Sequence, residues 1–311
     1  MISSYTLLDF IIAVIGVGIS YTTIYLAASL GEIFSEKGGV MNLALEGIMA
    51  MGAFVAYGIA FNTGNVYLGV VAGIVTGMMM GLLFGFLAIT IRINQVLAGL
   101  SVWLVGYGIS YFIYELTYNR SLILLHSPTL PTVPIPYLVS IPYIGQALFN
   151  HTIIDYIVYL IVPLLWYIMF KTKWGLKIIA VGENPRAADS VGIGVNKVRY
   201  LVVLFGSAMA GLAGAIISLE VGLFIIGITG GRGFIAVGIA VFSGFNPLYG
   251  LLASLLFGVV SAVGPSLAII GIRIPYEFLD MLPFLLLIVA AMIIARRLLT
   301  PSALSMPYQR E

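Results

Sequence analysis

The chain has 311 residues, of which 61% are hydrophobic and 8% charged, with a formal net charge of +2 and no cysteine. A water-soluble domain carries roughly a quarter charged residues, so a chain this poor in charge cannot cover a soluble surface. Its mean hydropathy of +1.13 makes lipid the solvent for most of it. The missing cysteine excludes a disulfide framework, a thiolate nucleophile and a thiolate metal site.

The apolar runs are often near twenty residues long and do not alternate strictly, which favours helices over barrel strands. The expected fold is an all-α polytopic membrane protein, a single transmembrane permease domain over 1–311. The span rule predicts about nine helices (eight to ten), at roughly 8–30, 39–60, 66–91, 95–116, 152–170, 200–220, 234–246, 248–270 and 281–298. No basic residue precedes Lys37, so the first run lacks the positive region of a signal peptide and reads as a retained helix. The run 234–246 is short, and Pro247 can break one longer segment.

Lys and Arg set the orientation. Lys171, Lys173, Lys177, Arg186, Lys197 and Arg199 share the connection 171–199, and Arg296, Arg297 and Arg310 lie in the tail. With both in the cytoplasm, Lys37 and Arg92 also fall inside, leaving Arg120, Arg232 and Arg273 outside. This bias predicts the N-terminus out and the C-terminus in. The extracytoplasmic loop 119–150 holds Pro128, Pro131, Pro134, Pro136 and Pro142 and is expected to be an ordered, non-helical cap.

In the third helix Gly69, Gly73, Gly77, Gly81 and Gly85 recur every fourth residue. Small residues let helices approach closely where lipid supplies no hydrophobic drive. Ser207, Gly211 and Ala215 give the sixth helix a similar face. There is also a faint internal repeat. Gly58-Ile59-Ala60, followed by Gly64, Asn65 and Gly69, parallels Gly238-Ile239-Ala240, followed by Gly244, Asn246 and Gly250. The two stretches cross in opposite directions, as an inverted repeat requires.

Catalytic signatures are missing. The sequence has no GxxxxGK[ST] phosphate loop, no HExxH and no metal-spaced histidine pair. It therefore predicts no catalytic residue, no metal, no cofactor and no nucleic-acid partner. Glu46 is an early charge in an apolar helix, at a cost on the order of 2.5–3.5 kcal/mol. Two readings of it stand, a structural bond to a helix terminus or a place on a solute pathway. Glu220, at the end of helix six, reads as a solvated rim residue. In the cytoplasmic loop 171–199, Asn184 is a plausible N-cap with Pro185 at the first helical position, and Gly192 ends a helix over 185–191. Its apolar Ala187, Ala188 and Val191 suit either a partner's groove or lipid headgroups.

Four stretches carry a family resemblance. Gly175, Ala180, Gly182, Ala187, Ala188, Gly192, Ile193 and Val195, followed by Gly211-Leu212-Ala213-Gly214-Ala215, resemble the importer permeases of the ribose, nucleoside and branched-chain amino acid group of ATP-binding-cassette (ABC) transporters. Glu36-Lys37-Gly38-Gly39-Val40-Met41-Asn42-Leu43-Ala44-Leu45-Glu46-Gly47 is similar to a motif of the nucleoside subgroup, as are Asn94-Gln95-Val96-Leu97-Ala98-Gly99-Leu100 and Gly230-Gly231-Arg232-Gly233-Phe234-Ile235-Ala236. The stretch Gly238–Asn246 matches no single pattern cleanly.

The resemblance implies a plasma-membrane permease that imports a nucleoside or related small polar solute by alternating access. ATP would be hydrolysed on a separate ABC ATPase subunit, with a second and different permease and an extracytoplasmic binding protein as further partners. Asn184, Pro185, Arg186, Ala187, Ala188, Asp189 and Gly192 would form the coupling helix against the ATPase. Asn42, Glu46, Asn94, Gln95, Trp103 and Tyr107 are the candidates for the solute pathway. Rival readings are permeases for riboflavin, ribose-like sugar or branched-chain amino acids, and an ion-coupled secondary transporter.

Overall fold

The computed structural model describes residues 7–118, 125–142, 144–269, 271, 275–294 and 300–309. In chain order it contains α1 (Leu7–Lys37), α2 (Leu45–Thr63), α3 (Val66–Gly85, prolonged by a π-helical turn Phe86–Thr90), α4 (Gln95–Thr117), β1 (Thr132–Pro134), α5 (Gly145–Phe149), β2 (Asn150–Thr152) and α6 (Ile153–Lys171). Then come α7 (Lys173–Glu183), α8 (Pro185–Ser190), α9 (Val195–Val221), α10 (Arg232–Phe242), α11 (Pro247–Ile269), α12 (Tyr276–Asp280) and α13 (Leu282–Ile294). Among the described residues seven helices are long and apolar enough to cross a bilayer: α1, α2, α3 with its π turn, α4, α6, α9 and α11. α10 is a shorter apolar helix of 11 residues.

Each of the nine expected segments has a helical counterpart, with informative differences at the edges. α1 continues through Glu32, Ser35 and Glu36 to Lys37, where the sequence reading stopped at residue 30. Those polar residues are fully buried, so tertiary partners, not lipid, decide where the helix ends. The expected start of the second helix at 39 is replaced by a non-helical stretch, 38–44, before α2 begins at Leu45. The cap 119–150 is not wholly non-helical, because α5 forms within it, and Thr132–Pro134 pairs antiparallel with Asn150–Thr152. The connection 171–199 holds an amphipathic helix, α7, that the sequence reading left as loop. Arg120, Arg273, Arg296, Arg297 and Arg310 lie outside the described residues.

The helices meet on glycine seams. α9 is the central element, with 78% of its apolar window buried inside the protein against 28% for α4, α6 and α11. The α3 stripe lies along α9. A Cβ at Gly73 would come within 2.9 Å of the Ala215 methyl, and one at Gly77 within 2.9 Å of Gly211 Cα. α11 repeats the device with Gly250, Ser254, Gly258, Ala262 and Ser266, all buried. Its partner is α1, where a Cβ at Gly258 would lie 2.7 Å from the Gly18 carbonyl oxygen.

α1 and α9 cross antiparallel, with a Cβ at Gly31 falling 2.6 Å from the Gly206 carbonyl oxygen and the Ser35 hydroxyl donating to the Val202 carbonyl at 3.3 Å. Thus α1 stands to α11 as α9 stands to α3. The turns match as well. α2 ends at left-handed Gly64 before Asn65 caps α3, and α10 is followed by left-handed Gly244 before the Asn246 side chain accepts from the Leu248 amide.

Backbone-to-backbone approach leaves no room for a side chain. Gly214→Leu, whose Cβ would strike the Met49 carbonyl oxygen, is expected to abolish monodisperse protein on size-exclusion chromatography. Gly108→Ala, with open space around it, is expected to leave yield and elution unchanged.

Candidate functional site

Two helices begin inside the protein instead of at its surface. The non-helical stretch 38–44 runs up the first turns of α4. The Met41 amide donates to Gln95 Oε1 at 2.9 Å, and Leu43 abuts Gly99. α2 therefore starts level with the middle of α4, where a Cβ at Gly106 would lie 2.7 Å from the Gly47 carbonyl oxygen. From the opposite end, residues 222–231 fold back from α9. The Gly227 amide donates to the Tyr111 hydroxyl at 2.6 Å, and α10 starts at Arg232 beside the same point. Such discontinuous helices are tolerated within a membrane only where protein satisfies the freed backbone groups.

Glu46 joins the two starts. Its Oε1 accepts from the Thr229 hydroxyl at 2.6 Å and the Gly231 amide at 2.8 Å, and its Oε2 accepts from the Gly233 amide at 2.7 Å. The carboxylate therefore supplies acceptors for the orphan amides of α10, and its negative charge sits at the positive ends of two helix dipoles. Gly233 has to be glycine, because a Cβ there would come within 2.6 Å of Glu46 Cα. Of the two sequence readings of Glu46, the bond to a helix terminus describes the geometry.

The other candidates divide between backbone support and the rim of this junction. Asn42 is fully buried. Its amide donates to Glu32 Oε1 at 2.8 Å, its Oδ1 accepts from the Ala44 amide at 3.1 Å, and its Nδ2 donates to the Ser207 hydroxyl at 3.3 Å. Gln95 is buried and holds Met41, whereas Asn94 is an exposed N-cap whose Oδ1 accepts from the Val96 and Leu97 amides. Trp103 and Tyr107 are half-buried. The Trp103 ring meets Phe234 edge-on at 5.3 Å, and Tyr107 meets Tyr111 at 4.2 Å, so the aromatic ladder of α4 faces the folded-back segment.

Sequence reasoning missed Glu32, because it ended the first helix too early, gave Arg232 no partner, and took Glu220 for a solvated rim residue. Arg232 is the first residue of α10 and stacks on Tyr21 at 4.9 Å, and Glu220 lines a cavity instead of a solvated rim. The signal for Glu32 was available as a polar residue one turn before Glu36 on a continuing helical face.

At the Lys37 end a platform forms. Asn184 caps α8 by accepting from the Ala187 amide at 3.0 Å, Pro185 occupies the first turn, and Gly192 reverses the chain at φ 85°. Arg186, Ala187 and Val191 are exposed, whereas Ala188 is 3% exposed and points into the core. Ala188 therefore cannot belong to an outward docking face, as its sequence grouping with Ala187 and Val191 suggested.

The segment 300–309 straps across this platform. Glu183 Oε2 accepts from the Ser302 amide and hydroxyl, the Ala303 amide donates to the Gly182 carbonyl at 2.9 Å, and buried Arg199 donates to the Met306 carbonyl at 2.8 Å. Among the described residues no group of three or more His, Cys, Asp or Glu is placed to hold a metal.

Glu46→Gln removes the charge and turns a donor toward an amide that needs an acceptor. It is expected to lower the apparent melting temperature in detergent, at a loss of about 2–4 kcal/mol. Arg199→Ala is expected to speed protease cleavage within 300–309 while leaving the helices protected, as read by mass spectrometry.

Comparison with known proteins agrees with this architecture. Residues 14–291 match the family described as branched-chain amino acid transport system / permease component. The chain is 35% identical to a protein named "Putative glucose ABC transporter permease protein" of Haloferax volcanii, over 98% of this chain and 99% of that one. It is 31% identical to a nucleoside ABC transporter permease protein of Lactococcus lactis, over 91% and 92% of the two chains. It is also 31% identical to a guanosine ABC transporter permease protein of Bacillus subtilis, over 96% and 98%. No solved structure matches it. With a family match across most of its length and relatives covering nearly all of it, the chain belongs to this family of permease components and is the multi-pass plasma-membrane permease subunit of an ABC transporter.

Proposed function

We propose that this subunit carries a nucleoside or a related small polar solute into the cell by alternating access, driven by a separate ATPase. The observation that carries the reading is the full-length similarity to permeases named for guanosine, for nucleosides and for glucose. The 35% relative named for glucose keeps a hexose as the second reading. The chain hydrolyses nothing itself and binds no cofactor, and ATP sits on the partner. The pore contains a second permease chain, different from this one, and a binding protein delivers the solute from outside.

Lys171, Lys173, Lys177, Arg186, Lys197 and Arg199 all belong to the platform around α7, α8 and the start of α9, which supports a cytoplasmic platform by the positive-inside rule. The N-terminus is then outside and the C-terminus inside, with nine crossings when α10 with its folded-back lead and α13 are each counted as one. The two units built on α1 and α9 are read as an inverted repeat, with α2 and α10 as its paired broken helices.

The platform would receive the ATPase on Asn184, Pro185, Arg186, Ala187, Asp189 and Gly192, and the exposed Val191 extends that face. The substitutions that separate coupling from folding follow from exposure. Val191→Glu and Ala187→Glu are expected to leave expression normal and to cut solute-stimulated ATP hydrolysis by about tenfold. Ala188→Glu, which buries a charge, is expected to lower the yield of folded protein instead. The direct test is co-purification with an ATPase and identification of the solute held by the associated binding protein. Recovery of neither partner would return the chain to the class of ion-coupled transporters.

A further inference from the structure

A sizeable space opens among the described residues on the far side of the stretch that Glu46 holds, its wall including Gly230 and Arg232, and extends toward the Gly64 end of the molecule. It is a half-open cavity of about 750 Å³ lined by α1, the β1–β2 and α5 segment, the start of α6, the end of α9, the folded-back stretch 222–231, the start of α10, α11 and the α12–α13 turn. Three carboxylates line it, Asp155 from α6, Glu220 from α9 and Asp280 from α12, and the first two carry the unpartnered oxygens.

Asp155 is 1% exposed. Its Oδ2 closes a capping box by accepting from the Thr152 amide and hydroxyl at 2.8 and 2.7 Å. Its Oδ1, and Glu220 Oε1, are buried with no hydrogen-bond partner among the described residues. Orphaned buried acceptors of this kind cost about 1–3 kcal/mol each, or more when charged, so they call for donors, which water or a ligand can bring. Tyr21 and Arg232 also line it, with the guanidinium stacked over the Tyr21 ring at 4.9 Å.

We propose that this cavity is a subsite for the vicinal hydroxyls of a sugar ring, accepted by Asp155 and Glu220 and packed against the Tyr21–Arg232 face. The inference rests on the transport reading above and names what part of the solute this subunit recognises. Neighbouring hydroxyls bring two donors to a wall that offers two unpartnered acceptors, and a flat ring suits the apolar side of a sugar or a base.

A bare metal cation fits less well, since no group of three ligating side chains exists among the described residues and Arg232 brings positive charge into the same space. A zwitterionic amino acid is the competing ligand, since Arg232 Nη1 donates to the Ile228 carbonyl at 2.7 Å and the Thr229 carbonyl at 3.3 Å while its other donors stay available to a carboxylate, and leucine in the labelling test decides between the two.

The chain has no cysteine, so a single Ser20→Cys substitution on the cavity wall gives a unique reporter. The full-length variant, in proteoliposomes with its ATPase and binding protein, is labelled with a methanethiosulfonate reagent in the presence of uridine, 2′,3′-dideoxyuridine, glucose, leucine or sodium chloride. Protection by uridine of about tenfold in rate, with none from the dideoxy analogue, supports a ribose site. Protection by glucose alone supports a hexose site.

In a Glu220→Gln background the half-protecting concentration is expected to rise about tenfold. Should that variant fail to accumulate, the reporter in the otherwise unchanged chain still decides. Equal protection by uridine and its dideoxy analogue, protection only by leucine or sodium, or no protection by any of them overturns the proposal. Solute uptake measured in the same vesicles separates that outcome from failure of the transport reading, since uptake with no protection condemns the subsite alone.

Discussion

One carboxylate holds the middle of this protein together. Two helices begin within the packed protein, where their first amides need partners, and a bare helix start in such a place is expensive. Glu46 meets this need from within α2 by accepting from Thr229, Gly231 and Gly233 at once. Its negative charge also lies where two positive helix ends converge. The charge that looked costly in an apolar run is what allows the chain to break its helices there. The same logic extends outward, because Gln95, Glu32 and Asn42 each give an acceptor oxygen to an amide of the non-helical stretch 38–44.

Around this junction the helices are fastened by close backbone approach. α3 on α9 and α11 on α1 use the same four-residue spacing of small residues, and α9 touches α1, α2 and α3 through glycines. Lipid offers no hydrophobic reward for burying a leucine between helices, so contact area must come from proximity. A consequence is that many large apolar side chains point outward, as with Leu104, Phe112 and Leu160.

The platform and the core are mechanically continuous. α8 is followed within five residues by α9, Arg199 at the start of α9 holds the strap at Met306, and the strap holds the end of α7 through Ala303 and Ser302. A force applied to the exposed face of α8 would therefore reach the helix on which the glycine seams converge. This gives the proposed ATP coupling a route through packed elements, with the Glu46 junction at its far end.

Composition and periodicity determined the class, the positions of the spanning helices, the glycine seam of α3, and the short helix capped by Asn184 and closed by Gly192. These are local consequences of hydropathy, small-residue spacing and cap chemistry, and they need no knowledge of neighbours. Tertiary structure alone decided that α1 carries Glu32 and Glu36 inward, that Glu220 and Asp155 share a cavity, that Arg232 sits on Tyr21, and that Ala188 faces the core. The physical reason is the same in each case. Whether a polar residue near a helix end is solvated or buried depends on partners far away in sequence, as with Glu46 and Gly233, and no spacing rule within one helix can report them.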